Sequence, residues 1–227
     1  MNQWEAIAAV IDHTLLRMDA TRGQVLDLCA EAAFYSFATV CVNTGHVALA
    51  ASVLRNTPVR VATTIGFPLG AVPATVKRHE AAEALLLGAE ELDMVINVGA
   101  LKSGDRAAVE ADIRGVTQEA HDAGALVKVI LETSLLTTPD KILACELSLA
   151  AGADFVKTST GFAGGGATVE DVALMRGVVG ERAGVKASGG IRTAADLLAM
   201  LAAGADRIGT SNSVAILREL GAPPLSK

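Results

Sequence analysis

Ala- and Leu-rich stretches of helical spacing alternate along this chain with short, nearly continuous apolar runs, and a glycine repeatedly joins the two. Gly88-Ala89-Glu90-Glu91-Leu92-Asp93, Gly124-Ala125-Leu126-Val127-Lys128, Gly152-Ala153-Asp154-Phe155-Val156-Lys157 and Gly204-Ala205-Asp206-Arg207-Ile208-Gly209 share this grammar. A helix closes on a glycine in the left-handed conformation, and a short loop then feeds a strand. Read this way, the chain carries eight candidate strands, at 9–14, 38–43, 59–65, 92–97, 126–132, 154–159, 184–188 and 206–210. Helical patterns lie between them, among them 76–87, 106–123, 139–151 and 193–203. Asp105 and Thr193 are placed to cap two of these helices, and Pro139 suits a first helical turn. Strands buried on both faces read as continuous apolar runs. Eight of them alternating with helices over 227 residues predict an α/β protein, a single (β/α)8 TIM barrel spanning 1–227 as one domain. An open doubly wound sheet would normally carry fewer strands in this length.

Composition narrows the class. With 51% hydrophobic but only 3% aromatic residues, the core must be built from Ala, Val, Leu and Ile. A net charge of −6 argues against sequence-independent binding to nucleic acid or to anionic membranes, which needs a basic footprint. No apolar run reaches the ~18 residues of a spanning helix. Cys29, Cys41 and Cys145 are far apart with no C-x-x-C, which predicts free thiols in a reducing compartment. Met1-Asn2-Gln3-Trp4-Glu5 lacks the basic start of a secretory signal, so a cytoplasmic location is expected. His13, His46, His79 and His121 show no metal-binding spacing, and no P-loop occurs, so neither a metal nor another cofactor is expected. The mean hydropathy of +0.43 suits a buried subunit interface.

Within this frame two lysines are out of place. Lys157 lies in the sixth strand and Lys186 in the seventh, where burial would strip an ammonium of water and push its pKa down. A lysine partly neutral near pH 7 is a nucleophile able to form a Schiff base with a carbonyl. Alternation puts Phe155, Lys157 and Ser159 on one face of the sixth strand, and Lys128, Ile130 and Glu132 on one face of the fifth. On the fourth, Leu92, Met94 and Ile96 should meet the helices, leaving Asp93 and Asn97 directed into the barrel. A lone strand lysine is more often ion-paired than nucleophilic. Asp93 could be a structural partner of Lys128, and Glu132 could pair with a lysine and do no chemistry.

A second constellation is the set of glycine-rich turns after the last three strands: Gly161-Phe162-Ala163-Gly164-Gly165-Gly166, Ser188-Gly189-Gly190-Ile191-Arg192-Thr193 and Gly209-Thr210-Ser211-Asn212-Ser213. Barrels commonly bind phosphate with such loops, where the absence of a side chain lets backbone N–H groups approach the oxyanion. Strand lysines beside them suggest carbonyl chemistry on a phosphorylated small molecule.

Taken together, Ile11-Asp12-His13-Thr14-Leu15-Leu16, Leu92-Asp93-Met94-Val95-Ile96-Asn97, Phe155-Val156-Lys157-Thr158-Ser159-Thr160-Gly161-Phe162 and Val185-Lys186-Ala187-Ser188-Gly189-Gly190-Ile191-Arg192-Thr193 resemble the deoxyribose-phosphate aldolase family, in order and along essentially the whole chain. The resemblance implies a metal-free class I aldolase of deoxyribonucleotide catabolism. It would interconvert 2-deoxy-D-ribose 5-phosphate with D-glyceraldehyde 3-phosphate and acetaldehyde. It further implies that Lys157 is the Schiff-base nucleophile, that Lys186 lowers the pKa of Lys157 by like-charge repulsion, and that Asp93 is the acid/base group. Asp12 and Thr14 would lie near the substrate hydroxyls and Cys41 near the site. Thr160, Gly161, Gly189, Gly190, Ser211 and Asn212 would contact substrate or its phosphate. Family members are typically homo-oligomers, and a homodimer is expected.

Two departures accompany this resemblance. Some members end in a tyrosine linked to proton transfer, whereas Tyr35 is the only tyrosine here; enamine protonation is then expected to rely on water or Asp93. Some carry a lysine directly after the strand-six Thr-Gly, where this chain has Phe162, removing one phosphate contact. The alternatives are a Schiff-base aldolase for another phosphorylated sugar, a non-catalytic phosphosugar-binding barrel, and a phosphate-binding isomerase with a carboxylate base.

Overall fold

Eight parallel strands close into a barrel in strict chain order in the computed structural model, which describes residues 2–225. The strands are β1 (Ile11–Leu15), β2 (Thr39–Val42), β3 (Arg60–Ile65), β4 (Glu91–Val95), β5 (Leu126–Ile130), β6 (Phe155–Lys157), β7 (Gly184–Ser188) and β8 (Arg207–Thr210). β8 closes on β1 through the Ile11–Ile208 and Asp12–Gly209 pairings. Helices α1 (Gln3–Ala8), α2 (Arg22–Tyr35), α3 (Val47–Leu54), α4 (Ala74–Leu86), α5 (Val98–Lys102), α6 (Arg106–Asp122), α7 (Thr138–Ala150), α8 (Val169–Val179), α9 (Ala194–Ala202) and α10 (Ser213–Glu219) complete the chain. This is the predicted (β/α)8 barrel.

Local chemistry sets the element ends. Asp105 caps α6 by accepting from the Ala108 N–H, and Thr193 caps α9 through a reciprocal box with Asp196. Pro139 sits in the first turn of α7, where its missing N–H is harmless. β4 and β5 stop earlier than their apolar runs suggest. Asn97 therefore lies beyond β4 and does not enter the barrel; its side chain caps α5 by accepting from the Ala100 N–H. The apolar pattern continues past the strand because Ile96 remains buried, so periodicity alone cannot mark the boundary.

The main hydrophobic core lies between the barrel wall and the helix ring. Leu92, Met94, Val127, Val129, Val156, Val185 and Ile208 turn outward into it, each contributing about 1.5–3 kcal/mol by full burial. His13 also faces outward, joined to Ser213 at 2.9 Å and to Glu31 at 2.8 Å. The near end of the C-terminal tail is tied to the core: the buried Tyr35 hydroxyl donates to the Pro223 carbonyl at 2.8 Å. Ser226 and Lys227 lie outside the described residues. Inside the barrel a small apolar group, Leu16, Cys41 and Ala62 with Phe67, occupies one side. Much of the rest is charged.

Candidate active site

Strand alternation places Asp12 of β1, Glu91 and Asp93 of β4, Lys128 of β5, Lys157 of β6, Lys186 of β7 and Arg207 of β8 on the inner surface. The register aligns Asp93 with Lys128, Lys157 with Lys186, and Lys186 with Arg207. Burying an ion costs several kcal/mol unless it is paired. Here the pairing is continuous. Asp93 Oδ2 accepts from Lys157 Nζ at 2.7 Å and from Lys186 Nζ at 2.6 Å, while Oδ1 accepts from Lys128 Nζ at 2.7 Å. Lys128 also lies 2.7 Å from Glu91, and Lys186 lies 2.5 Å from Asp12 Oδ2 without hydrogen-bond alignment. Arg207 donates to Asp12 at 2.7 Å and to Glu91 at 3.2 Å, and half-exposed Arg60 reaches Glu91 from the barrel's N-terminal rim.

The three lysines around Asp93 are not equivalent. Burial pushes the Lys157 ammonium below its ordinary range, and the Lys186 charge adds to this against the pull of Asp93. Burial also opposes charge on Lys186, but Asp12 and Asp93 more than offset it and its pKa is raised. Lys128 is likewise held charged, by Asp93, Asp12 and Glu91. Although burial opposes their charge, the surrounding cations hold Asp93 and Asp12 well below the usual carboxylate range. Lys157 is thus the interior amine most ready to lose its proton, with desolvation the larger cause and like-charge repulsion the smaller.

A cavity of about 280 Å³ opens above this cluster at the C-terminal ends of the strands, with Lys157 on its wall. Thr14, Thr160, Gly161, Gly189, Gly190 and Ser211 line it as well. Gly161, Gly189 and Gly190 all have φ near +80°, at 84°, 86° and 79°. A Cβ on Gly189 would in addition stand 3.0 Å from Gly166 Cα, so the loops after β6 and β7 touch backbone to backbone.

Other predicted site residues stand off the wall. Asp12 is wholly buried beneath the cavity with Lys186 and Arg207 as its partners. Asn212 precedes α10, its N–H donating to Thr210 Oγ1 at 3.0 Å. Cys41 is buried beside Leu16, Ala62 and Phe67, and burial pushes its thiol up to about 11.

Several residues of the site escaped the sequence reading. Arg17 and Arg192 line the cavity and bring positive charge to it; Arg192 was visible in the Gly-Gly-Ile-Arg-Thr turn. Glu91 and Arg207 belong to the interior network, and for Glu91 the signal was its two-residue spacing from Asp93. Glu132 does not pair with a lysine. It adopts φ +57° just beyond β5, and its carboxylate accepts both the hydroxyl of Thr160 and the Thr160 N–H, the latter at 3.2 Å. Thr160 Oγ1 in turn accepts from the Phe162 N–H at 3.0 Å, so Glu132 props the β6 loop where it meets the cavity. Phe162 packs edge-on against Phe67, ring centroids 5.2 Å apart.

Comparison with known proteins places the chain in a family. The family of DeoC/LacD aldolases matches residues 6–220. The chain is 56% identical over 216 residues to deoxyribose-phosphate aldolase 1 of Bacillus licheniformis, covering 95% of this chain and 96% of that one. It is 59% identical over 213 residues to the deoxyribose-phosphate aldolase of Thermococcus gammatolerans, covering 93% and 95%. The solved deoxyribose phosphate aldolase of Aeropyrum pernix, described as a unique tetrameric structure, matches with a TM-score of 0.91 at 37% identity, covering 96% of this chain and 92% of that one.

Proposed function

The chain belongs to the DeoC/LacD family of aldolases, and on that premise we propose which residues carry its reaction. The enzyme reversibly cleaves 2-deoxy-D-ribose 5-phosphate to D-glyceraldehyde 3-phosphate and acetaldehyde through a lysine Schiff base.

Lys157 is the nucleophile. The observation that carries this assignment is its position on the cavity wall with Nζ 2.7 Å from Asp93, its proton loosened by burial and by Lys186. Neutral Lys157 adds to C1 of the open-chain sugar, and loss of water leaves an iminium. That cation forms beside charged Lys186 and is discharged when the C2–C3 electron pair flows into it, so repulsion from Lys186 favours cleavage. As C2–C3 breaks, the C3 hydroxyl proton passes through a water to Asp93, and C3 becomes the aldehyde carbon of glyceraldehyde 3-phosphate. The proton then returns to C2 of the enamine, and water releases acetaldehyde from Lys157.

Phosphate is bound at the glycine turns Gly161, Gly189 and Gly190, with Thr160, Ser211 and the cations Arg17 and Arg192 around it. Anchoring the substrate far from the breaking bond lets binding energy lower the barrier. Asp12 serves the site from below by holding Lys186 charged. Thr14 lies against the sugar, while Cys41 and Asn212 support the walls. The 1–227 unit works as one catalytic domain, in the cytoplasm and as a homo-oligomer. The tetrameric Aeropyrum relative supports self-association, and sedimentation would decide between that state and the expected homodimer.

Sodium borohydride with acetaldehyde, followed by peptide mass spectrometry, tests the assignment. A two-carbon adduct confined to Lys157 is expected. An adduct on Lys186 would reverse the two lysines, and no adduct on folded protein would remove the Schiff base from Lys157.

A further inference from the structure

The interior of the barrel is electrically balanced in one protonation state only. Three carboxylates, Asp12, Glu91 and Asp93, face Lys128, Lys186, Arg207 and Lys157. With the first three of those cations charged, and half-exposed Arg60 left to the solvent at the rim, the buried set is neutral when Lys157 carries no proton. Removing Arg207 or Glu91 would upset this balance from the far, N-terminal end, four contacts from the reacting amine for Arg207 and three for Glu91 by way of Lys128 and Asp93. The path is unbroken: Arg207 to Asp12 at 2.7 Å, Asp12 to Lys186 at 2.5 Å, Lys186 to Asp93 at 2.6 Å, Asp93 to Lys157 at 2.7 Å.

We infer that Arg207 and Glu91, on the N-terminal floor of the barrel, are positioning residues that set the protonation state of Lys157, Arg207 through Asp12, Lys186 and Asp93 and Glu91 through Lys128 and Asp93. The inference rests on Lys157 being the nucleophile. N-terminal barrel faces ordinarily serve stability, and stability alone does not explain why this floor holds charges. Arg207 is packed for charge: its guanidinium lies 5.6 Å above the Phe155 ring and between two carboxylates. Asp93 of β4, Lys186 of β7 and the Cys41 thiol of β2 act on Lys157 directly, and behind them stand Glu91 of β4, Lys128 of β5, Arg207 of β8, Asp12 of β1 and, at the rim, Arg60 of β3. Of these, Lys128, Lys186 and Arg207 are each pinned as cations by two carboxylates, whereas Lys157 touches Asp93 alone. Lys157 is therefore the member that absorbs an imbalance. A unit charge at roughly 10 Å and an effective dielectric constant near 20 moves a pKa by on the order of one unit.

The test reads Lys157 directly. The full chain is treated with acetaldehyde and cyanoborohydride across pH, and the rate of two-carbon adduct formation at Lys157 is followed by mass spectrometry. Arg207→Met removes a cation and is expected to move the midpoint of that profile up by about one pH unit. Glu91→Gln removes an anion and is expected to move it down by a similar amount. The Glu91→Gln/Arg207→Met double variant restores neutrality and returns the midpoint toward wild type, while Arg207→Lys leaves it in place. Shifts of the same sign, or none in folded variants, would overturn the inference, since a purely structural floor lowers rates without opposed midpoints. If either single variant fails to fold, Glu91→Gln/Arg207→Lys against Glu91→Gln/Arg207→Met isolates the same charge, and equal midpoints would overturn it. Absence of a Lys157 adduct in the wild type would instead remove the nucleophile assignment beneath it.

Discussion

Lys157 and Lys186 meet on a single oxygen. Asp93 Oδ2 accepts from the first at 2.7 Å and from the second at 2.6 Å. One carboxylate oxygen serving two amines places them in electrostatic competition, and the second carboxylate on Lys186, Asp12, decides it. Lys186 keeps its proton, and Lys157 is left as the amine that yields.

Lys186→Met removes the competitor and leaves Asp93 to hold Lys157 as an ammonium. Turnover should fall by roughly 10²–10⁴ near neutral pH, the range of a lost proton-transfer or activating group. The acid limb of the pH–kcat/KM profile should also move to higher pH. A uniform loss with an unchanged limb would show that Lys186 does not tune Lys157.

Lys157→Met should abolish turnover yet leave the protein as stable as wild type or more so, by about 1 kcal/mol near pH 7. The sign follows from the depressed folded-state pKa of Lys157. The unfolded chain binds this proton more tightly, so the buried lysine penalises folding most below its folded pKa. The penalty fades as pH rises to the unfolded value near 10.4. Thermal unfolding of the variant and wild type across pH checks this, and the difference should shrink in alkali.

Asp93→Asn leaves three amines around an uncharged amide. Stability should drop by about 3–5 kcal/mol, the cost of breaking a buried ion pair. Because Asp93 and Asp12 have depressed pKa values, the stabilisation they contribute is present above about pH 4 and is lost as pH falls through their folded values. Acid unfolding of the wild type, followed by circular dichroism, should therefore begin only well below pH 4 if these pairs dominate.

Glu132→Ala removes the prop beneath Thr160. KM for the phosphorylated sugar should rise about tenfold, a loss near 1.4 kcal/mol of the order of a charge-assisted hydrogen bond, while acetaldehyde trapping at Lys157 stays at the wild-type rate. Glu132→Gln, which keeps one acceptor oxygen, should recover most of the affinity. Equal effects on trapping and on KM would place Glu132 in general packing instead.

Phe162→Lys tests the departure at the mouth of the cavity. A cation beside the glycine turns should lower KM for the phosphorylated sugar about threefold, worth roughly 0.7 kcal/mol at an exposed site. It should leave the reaction of unphosphorylated 2-deoxyribose unchanged. Steady-state assays of both substrates discriminate this from a nonspecific change of the loop.

The barrel was legible because its repeat is written in glycines and apolar runs, which local backbone chemistry translates directly into strands and helices. Lys157, Lys186, Asp93 and Lys128 were legible because charge inside such runs is costly and therefore conspicuous. Asn97 and Glu132 were misread for one reason: the apolar pattern continues past the last ladder hydrogen bond, and alternation ceases to hold where the strand ends. Arg207 and Glu91 stayed hidden because each sits at the first residue of its strand, where a charge ordinarily reaches solvent. Only closure of the sheet shows that they face each other indoors.

Gly209 carries a consequence for selectivity. A Cβ there would stand 3.0 Å from Lys186 Cε, so the missing side chain leaves room for the end of the Lys186 stem. An aldehyde entering the cavity thus finds Lys157 on the wall, while Lys186 lies behind it with its amine held by two carboxylates and its stem against Gly209. Bulk added at Gly209 would crowd Lys186 Cε and push its amine off the geometry in which Asp12 and Asp93 hold it. The smallest residue of β8 thereby helps confine aldehyde chemistry to one amine.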